Sequence, residues 1–358
     1  MEQMLDARES ETAAIKCSGC GAEMTYDIQS GNLKCNHCGA EQKIEADDSV
    51  WRRQLTDEIM KDKGNWSDAR VHRCDGCGAK EVLERKNINI RCAFCGSTSI
   101  VSTDELCGIK PDCIIPFKID PTNSQTIFLK WIKSRIWAPR SFKTADIRER
   151  MNSLYIPSWA FTSQVFSTYR GTLGRQVQTT RRGPNGQMMT TYKTVYFNVS
   201  GQMNKHYTDF LVQSSDRISP INFNKLKPFD VKEKKPYRTE FIAGIITEHY
   251  SRSLEACFSD FSNHIRSDLR RDIMRRHNAD TVSKLDIKLD FPTREFNYIL
   301  LPLYIANYKY KTKTYNFFVN GVTGKIVGKY PVSKLKITLL ILGIAVVSII
   351  GIAAYLWL

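Results

Sequence analysis

The sequence predicts an α+β protein with two small four-cysteine modules before its main domain and one apolar helix after it. Three observations support this fold class. Eight of the eleven cysteines fall in four copies of one short motif within the first hundred residues. The middle of the chain alternates long β-type segments with a few amphipathic helical segments. The last 22 residues contain no charged side chain.

The four motif copies read Cys-x-x-Cys-Gly and form two pairs with identical internal spacing. Fourteen residues separate the copies of each pair, residues 21–34 in the first and 78–91 in the second. Two such knuckles at this spacing are the ligand set of a tetrahedral zinc site. We predict two structural Zn²⁺ ions, because four thiolates leave no coordination position open for water or substrate. The predicted ligands are Cys17, Cys20, Cys35, Cys38, Cys74, Cys77, Cys92 and Cys95.

Disulfides or unrelated thiols are the alternative interpretation, which the repeat of both motif and spacing disfavours. Glycine after each second cysteine fits a knuckle that turns with positive φ. Segments 24–28 and 88–91 have the β-type composition of short hairpins. We expect His37 and His72 to be surface residues, since each site is already complete.

The modules define the first part of the domain organisation. Residues 1–44 hold an N-terminal segment and zinc ribbon one, and residues 71–102 hold zinc ribbon two. Between them, residues 45–70 form a charged linker, for which apolar residues at roughly helical spacing predict a short helix. Those apolar residues are Val50, Trp51, Leu55 and Ile59. Whether the ribbons pack together or move on this linker stays open.

Residues 103–333 form a basic, antiparallel-sheet-rich α+β domain. It begins with a strand at 112–119 and a helix at 121–137, followed by a strand from Tyr155 and a hairpin tip at 179–187. A long amphipathic helix starts at about residue 238 or 251 and ends near 277. Strands follow at 281–291, 296–310 and 314–328. The apolar face of the long helix is formed by Leu254, Phe258, Phe261, Ile265, Leu269 and Ile273.

Residues 337–358 predict a transmembrane helix. Twenty-two residues span about 33 Å as a helix, which is enough to cross a bilayer core. Lys334 and Lys336 precede this segment, so the positive-inside rule places the body in the cytoplasm and the C-terminus outside. We therefore expect a single-pass, tail-anchored protein of the cell membrane.

The net charge of +15 is unevenly distributed along the chain. Residues 1–113 carry 15 basic and 20 acidic side chains, and residues 114–358 carry 37 and 17. An acidic ribbon half lacks the phosphate-neutralising interactions that dominate DNA affinity, which argues against nucleic acid. The basic segment 114–336 is a candidate for contact with anionic lipid, and a generally solvated basic surface is the equal alternative.

With these segments placed, the chain resembles the bacterial membrane proteins of the YdjG type, which carry TFIIB-type zinc ribbons and are also labelled primosomal-helicase-like. The resemblance is based on the two ribbons and on the segments DCIIPFKI at 112–119, YIPSW at 155–159, LLP at 300–302 and FVNGVTGKIVGKYP at 318–331. It implies a membrane-bound adaptor that works with SPFH (flotillin-like) scaffolds and phage-shock A-type proteins in envelope stress.

The predicted function is therefore a membrane-anchored cytoplasmic zinc-ribbon adaptor that recruits protein partners. The alternative is a membrane-tethered nucleic-acid-binding protein that uses the ribbons and the basic domain. We expect no enzyme activity, because the sequence contains no phosphate-binding loop, nucleophile elbow or His-Glu-x-x-His motif. The helicase label lacks support for the same reason.

Overall fold

The computed structural model describes residues 15–45, 49–61, 70–83, 92–98, 100–102, 108–144, 151–182, 184, 187–310 and 313–357. It has a sheet-rich α+β body, two four-cysteine clusters and one apolar C-terminal helix. Ribbon one is a three-stranded antiparallel sheet of β1 (Met24–Asp27), β2 (Asn32–Cys35) and β3 (Glu41–Gln42). The predicted hairpin at 24–28 is thus confirmed, and its counterpart at 88–91 lies outside the described residues.

The linker contains the predicted short helix, but the helix begins later than the apolar residues suggested. Strand β4 (Arg53–Gln54) pairs with Glu295 and Phe296, and only then does a short helix, α1 (Asp57–Lys61), begin. Leu55 is buried in the body, whereas Trp51 is 85% exposed. Val50 and Trp51 lie outside the helix, because Arg53 and Gln54 pair with the edge of the body's sheet as a strand before the helix begins.

Ribbon two is part of the body's sheet. Its strands are β5 (Arg70–Cys74), β6 (Lys80–Leu83) and β7 (Ile100–Ser102). Among the described residues, twelve strands join this one sheet, and β6 connects to it through the three-residue strand β12 (Ile246–Glu248). The remaining short strands are β8 (Cys113–Ile114), β11 (Lys235–Pro236), β12 (Ile246–Glu248), β14 (Lys313–Asn320) and β15 (Ile326–Gly328).

Three very long strands form the centre of the body. They are β9 (Met151–Arg182), β10 (Met188–Gln213) and β13 (Thr281–Tyr310), paired antiparallel in the order β10-β9-β13. The two strands predicted at 281–291 and 296–310 are therefore one strand, with a register shift between Asp290 and Thr293. Pro292 explains the irregularity, because it has no N–H for the ladder, yet the strand continues beyond it.

The helices cover the faces of this sheet. Helix α2 (Pro121–Lys133) is capped by Asp120 and buries Phe128 and Ile132; it ends four residues before the predicted boundary. The small helices α3 (Arg140–Thr144) and α4 (Pro220–Leu226) follow in the chain. Helix α5 (Leu254–Arg276) begins at the cap Ser253 and buries the predicted apolar face, with Phe258 only partly buried.

The apolar helix α6 (Lys334–Trp357) begins beside the loop between α2 and α3, and none of its residues is buried. At the opposite end of the body, β9 and β10 extend past the start of β13 as an exposed two-stranded hairpin. The 31 residue steps from Met151 to Arg182 correspond to about 100 Å of strand. The body is thus elongated, with the apolar helix attached near one end of its strands and a hairpin at the other.

Candidate metal centres

All four Cys-x-x-Cys-Gly knuckles have the same backbone geometry. In each, the glycine N–H donates to the carbonyl of the first cysteine, with N···O distances between 2.6 and 2.9 Å. The N–H of that first cysteine donates in turn to the residue after the glycine, at 2.8 to 2.9 Å. The glycines have φ between 71° and 77°, as the sequence predicted. They are Gly21, Gly39, Gly78 and Gly96.

The knuckles bring the predicted ligands into two clusters. Cys17, Cys20, Cys35 and Cys38 form the first, and Cys74, Cys77, Cys92 and Cys95 form the second. Within each cluster the sulfur atoms all lie within 4.8 Å of one another, and the shortest Sγ···Sγ distances are 3.5 to 3.7 Å. A disulfide requires about 2.05 Å. Four sulfurs around one Zn²⁺ at ~2.3 Å lie about 3.8 Å apart, so both donor sets fit this ion.

The electrostatics of the first cluster also favour a bound cation. The N–H groups of Cys38 and His37 point at the Cys35 sulfur and lower its pKa to about 6. The Ala22 N–H acts in the same direction on Cys20, but the adjacent thiols of Cys38 and Cys35 outweigh it and raise the Cys20 pKa to about 12. Without a cation the four thiols therefore cannot all ionise together, whereas a central divalent ion stabilises all four thiolates.

Exposure follows a rule within each knuckle. The first cysteine is buried, with at most 3% exposure, while the second is exposed in ribbon one and half-buried in ribbon two. The more open cluster is therefore the first, where Cys20 and Cys38 lie at the surface. His37 is exposed beside them, as expected, and His72 is half-buried.

Ribbon two is tightly connected to the body. The Arg217 guanidinium donates to the Cys77 carbonyl, and the Asn307 side chain donates to the Ala93 carbonyl. The Ala93 N–H in turn donates to the buried carboxyl of Glu81 at 3.0 Å. This ribbon is held to the body through residues immediately beside its predicted ligands. The alternative in which ribbon two moves freely on the linker at 45–70 is therefore excluded.

Ribbon one has a separate contact with the body. The Tyr26 N–H donates to the Ala243 carbonyl at 3.0 Å, and the Tyr26 ring packs edge-to-face on Phe241. Gly244, at φ 77°, lies close enough to Thr25 that an added Cβ would be 3.0 Å from it. The two ribbons therefore dock at different places on one body.

The remaining cysteines, and the neighbouring residues Glu248 and His249, lie outside the two clusters. Cys113 and Cys257 are buried thiols, and burial raises the pKa of both. Cys107 lies outside the described residues. Sequence reasoning missed that Glu248 and His249 are both buried, with the Ser215 hydroxyl donating to Glu248 at 2.7 Å. No sequence signal marks this burial, because it depends on β12 lying between ribbon two and β9.

Helix α6 has the length and composition of a membrane span. Its 24 residues correspond to about 36 Å, against a hydrocarbon core of roughly 30 Å. It is the one helix among the described residues that is long and apolar enough to cross a membrane.

Comparison with known proteins adds one relative that matches over nearly the whole chain. A protein of Bacillus subtilis (strain 168), described as uncharacterized protein YdjG, is 30% identical over 333 residues, which cover 92% of this chain and 93% of the relative. The chain belongs to the YdjG family. No protein-family model and no solved structure matches it. Because the YdjG relative is described without an activity, membership of the YdjG family does not assign a function to this chain.

Proposed function

We propose that this chain is a membrane-anchored cytoplasmic adaptor in which two zinc-bound ribbons are displayed by a rigid body. The observation that carries the proposal is the attachment of both four-cysteine clusters to one body that continues into the exposed apolar helix α6. In each cluster four thiolates would complete the coordination of one Zn²⁺. Such a closed site has a structural role, so the ribbons act through their surfaces.

Ribbon one is the better candidate for the partner surface. Its knuckles expose Cys20 and Cys38, whereas the corresponding Cys77 and Cys95 of ribbon two are half-buried. Residues 15–44 carry three basic and three acidic side chains, so the formal charge is −2 with a four-thiolate Zn²⁺ site. Residues 71–102 carry five and three, which gives a formal charge of 0 with the second site.

These charges refine the sequence argument about nucleic acid. The acidic excess of residues 1–113 comes from the terminal and connecting segments, and the ribbons themselves are close to neutral. Neither ribbon supplies the cationic excess that drives binding to phosphate. Protein recognition is therefore the favoured function, with SPFH-type and phage-shock A-type proteins as the partner classes that the family resemblance implies.

The proposal is tested by crosslinking and mass spectrometry on the full chain in native membranes. The informative variant is Cys20→Ser/Cys38→Ser, which disables the exposed ligands of ribbon one, and Cys257→Ser is the matched control at a cysteine outside both clusters. We expect crosslinks from ribbon one to SPFH-type or phage-shock A-type proteins, lost only in the double variant. Crosslinks that persist there would exclude ribbon one as the partner surface.

A gel shift across salt concentrations tests the nucleic-acid alternative. The adaptor proposal predicts no binding of duplex DNA tighter than about 10 μM at physiological salt, which is within the range of non-specific contacts. Micromolar or tighter binding with a steep salt dependence would favour the alternative.

A further inference from the structure

The loop at residues 134–139, between α2 and α3, is fixed to the first turn of α6. The Lys336 ammonium donates to the Ile136 carbonyl at 2.8 Å and to the Ala138 carbonyl at 2.9 Å. The Ser333 N–H donates to the carbonyl between them, that of Trp137, at 2.8 Å. Three successive carbonyls are thus bonded to the start of the apolar helix, so the loop lies at the same level as Lys336.

The same loop is also held from the side of the body. The Arg135 guanidinium lies over the Trp131 ring at 4.5 Å and the Tyr330 ring at 5.8 Å, and these two rings pack edge-to-face. Ala138 is fully buried in the cluster under α2 and α3. A loop bonded on both sides cannot turn its exposed side chains away at low cost.

Beside the exposed polar Ser134, this rigid loop exposes a large apolar side chain. Ile136 is 64% exposed, and across the junction Val332 and Leu335 are 48% and 70% exposed. Trp137, which is half-buried, has the amphipathic side chain that favours the boundary between water and lipid. An immobilised apolar side chain beside a membrane-spanning helix is suited to the bilayer surface rather than to water.

The charge around the loop selects the kind of membrane. Residues 121–144 and 326–337 contain no acidic side chain at all. Their eight basic side chains are Lys130, Lys133, Arg135, Arg140, Lys143, Lys329, Lys334 and Lys336. Basic residues next to a membrane span are attracted to anionic lipid headgroups, and no carboxylate in these segments opposes that attraction.

We propose that loop 134–139 is a second membrane-contacting element, which places Ile136 among the headgroups of an anionic bilayer beside α6. This inference rests on the proposed membrane anchor. Two contact points, the helix and the loop, would fix the tilt of the body on the bilayer, which a single helix with a free connection would not. The long strands, and the ribbons docked on the body, would then have a defined orientation relative to the membrane.

Site-specific photocrosslinking to lipid tests this inference on the full chain. A benzophenone amino acid replaces Ile136, Ile341 or Tyr192 in turn, and each protein is placed in nanodiscs with or without phosphatidylglycerol. Ile341 lies within α6 and is 60% exposed; Tyr192 lies near the hairpin tip and is 70% exposed. Tyr192 pairs with Gln178, about 90 Å of strand from Met151, which makes it the control far from the proposed contact.

The expected result is lipid adducts at Ile136 within about threefold of those at Ile341, and at least tenfold above those at Tyr192. Removing phosphatidylglycerol should lower the Ile136 yield and leave the Ile341 yield unchanged. Adducts at Ile341 with only the Tyr192 level at Ile136 would overturn the loop contact and leave the anchor intact. Crosslinks from Ile136 to protein instead of lipid would also overturn it. Absence of lipid adducts at Ile341 would overturn the anchor, and the loop contact with it.

Discussion

Replacing Cys74 by Ser removes one predicted ligand from the second cluster, and the structure predicts that the damage reaches the body. The His249 N–H donates to the Lys80 carbonyl of ribbon two at 3.0 Å, and Thr247 pairs with Val82. Unfolding of the ribbon would leave β12 as an unpaired edge on that side. The equivalent substitution in ribbon one, Cys17→Ser, should instead affect the contact between Tyr26 and Ala243.

The size of the effect follows from the bonds that are lost. Neutral hydrogen bonds contribute ~1 kcal/mol each and bonds to charged groups about 2. The ribbon-two contact includes a bond from the Arg217 guanidinium, one from the Asn307 amide and one from the His249 N–H. Together they amount to about 4 kcal/mol, which is close to the lower limit of stability of a typical domain.

Hydrogen exchange read by mass spectrometry is the assay, because peptides containing His249 and Tyr26 report on the two contacts separately. Loss of about 4 kcal/mol corresponds to exchange about 10³-fold faster at the His249 peptide in Cys74→Ser. The Tyr26 peptide should change by less than tenfold in that variant, and the pattern should reverse in Cys17→Ser. The reasoning fails if Cys74→Ser leaves the His249 peptide as protected as in the unmodified chain, or if both variants change both peptides equally.

Three further predictions use other parts of the structure. Elemental analysis of reduced protein should give two zinc ions per chain and about one in Cys20→Ser; a value of one in the unmodified chain would remove one of the sites. Burial raises the pKa of Glu248 to about 8, above its ordinary value. Folding therefore favours the protonated carboxyl, and this contribution to stability is intact at pH 4 and lost as the pH rises through about 8. Glu248→Gln should therefore raise Tm at pH 9 and not at pH 4, and an equal shift at both pH values would contradict this. Burial raises the pKa of Asp268, but the hydrogen bond from the Lys205 ammonium outweighs burial and lowers this pKa to about 2. The Tm lost in Lys205→Met should therefore shrink as the pH falls from 4 to 2. A loss of Tm that stays constant across that range would show that the pair is unimportant.

The local chemistry of the chain could be predicted from sequence because it repeats at short range. Motif and spacing gave the cysteine knuckles, and the 3.6-residue period gave the buried face of α5. The continuous apolar run likewise gave the extent of α6 to within three residues at its start. In each case the determining residues are neighbours along the chain, so the pattern contains the information.

The parts that could not be predicted depend on pairing between distant segments. Strand β12 has only three residues, yet it joins ribbon two to β9 and thereby buries Glu248. Strand β4 forms because Arg53 and Gln54 meet the edge of β13, more than 200 residues away in the sequence. Such contacts leave no periodic signal, since three residues are too few to show one.

The central claim is that this chain holds a partner at the membrane through a zinc ribbon, and partner recruitment tests it most directly. The measurement is the membrane-bound fraction of the crosslinked partner in cells that express the full chain, its Cys20→Ser/Cys38→Ser variant or the Cys257→Ser control. The account predicts at least a fivefold lower partner fraction in the double variant only, while the chain itself stays in the membrane. An unchanged partner fraction in that variant would contradict the claim.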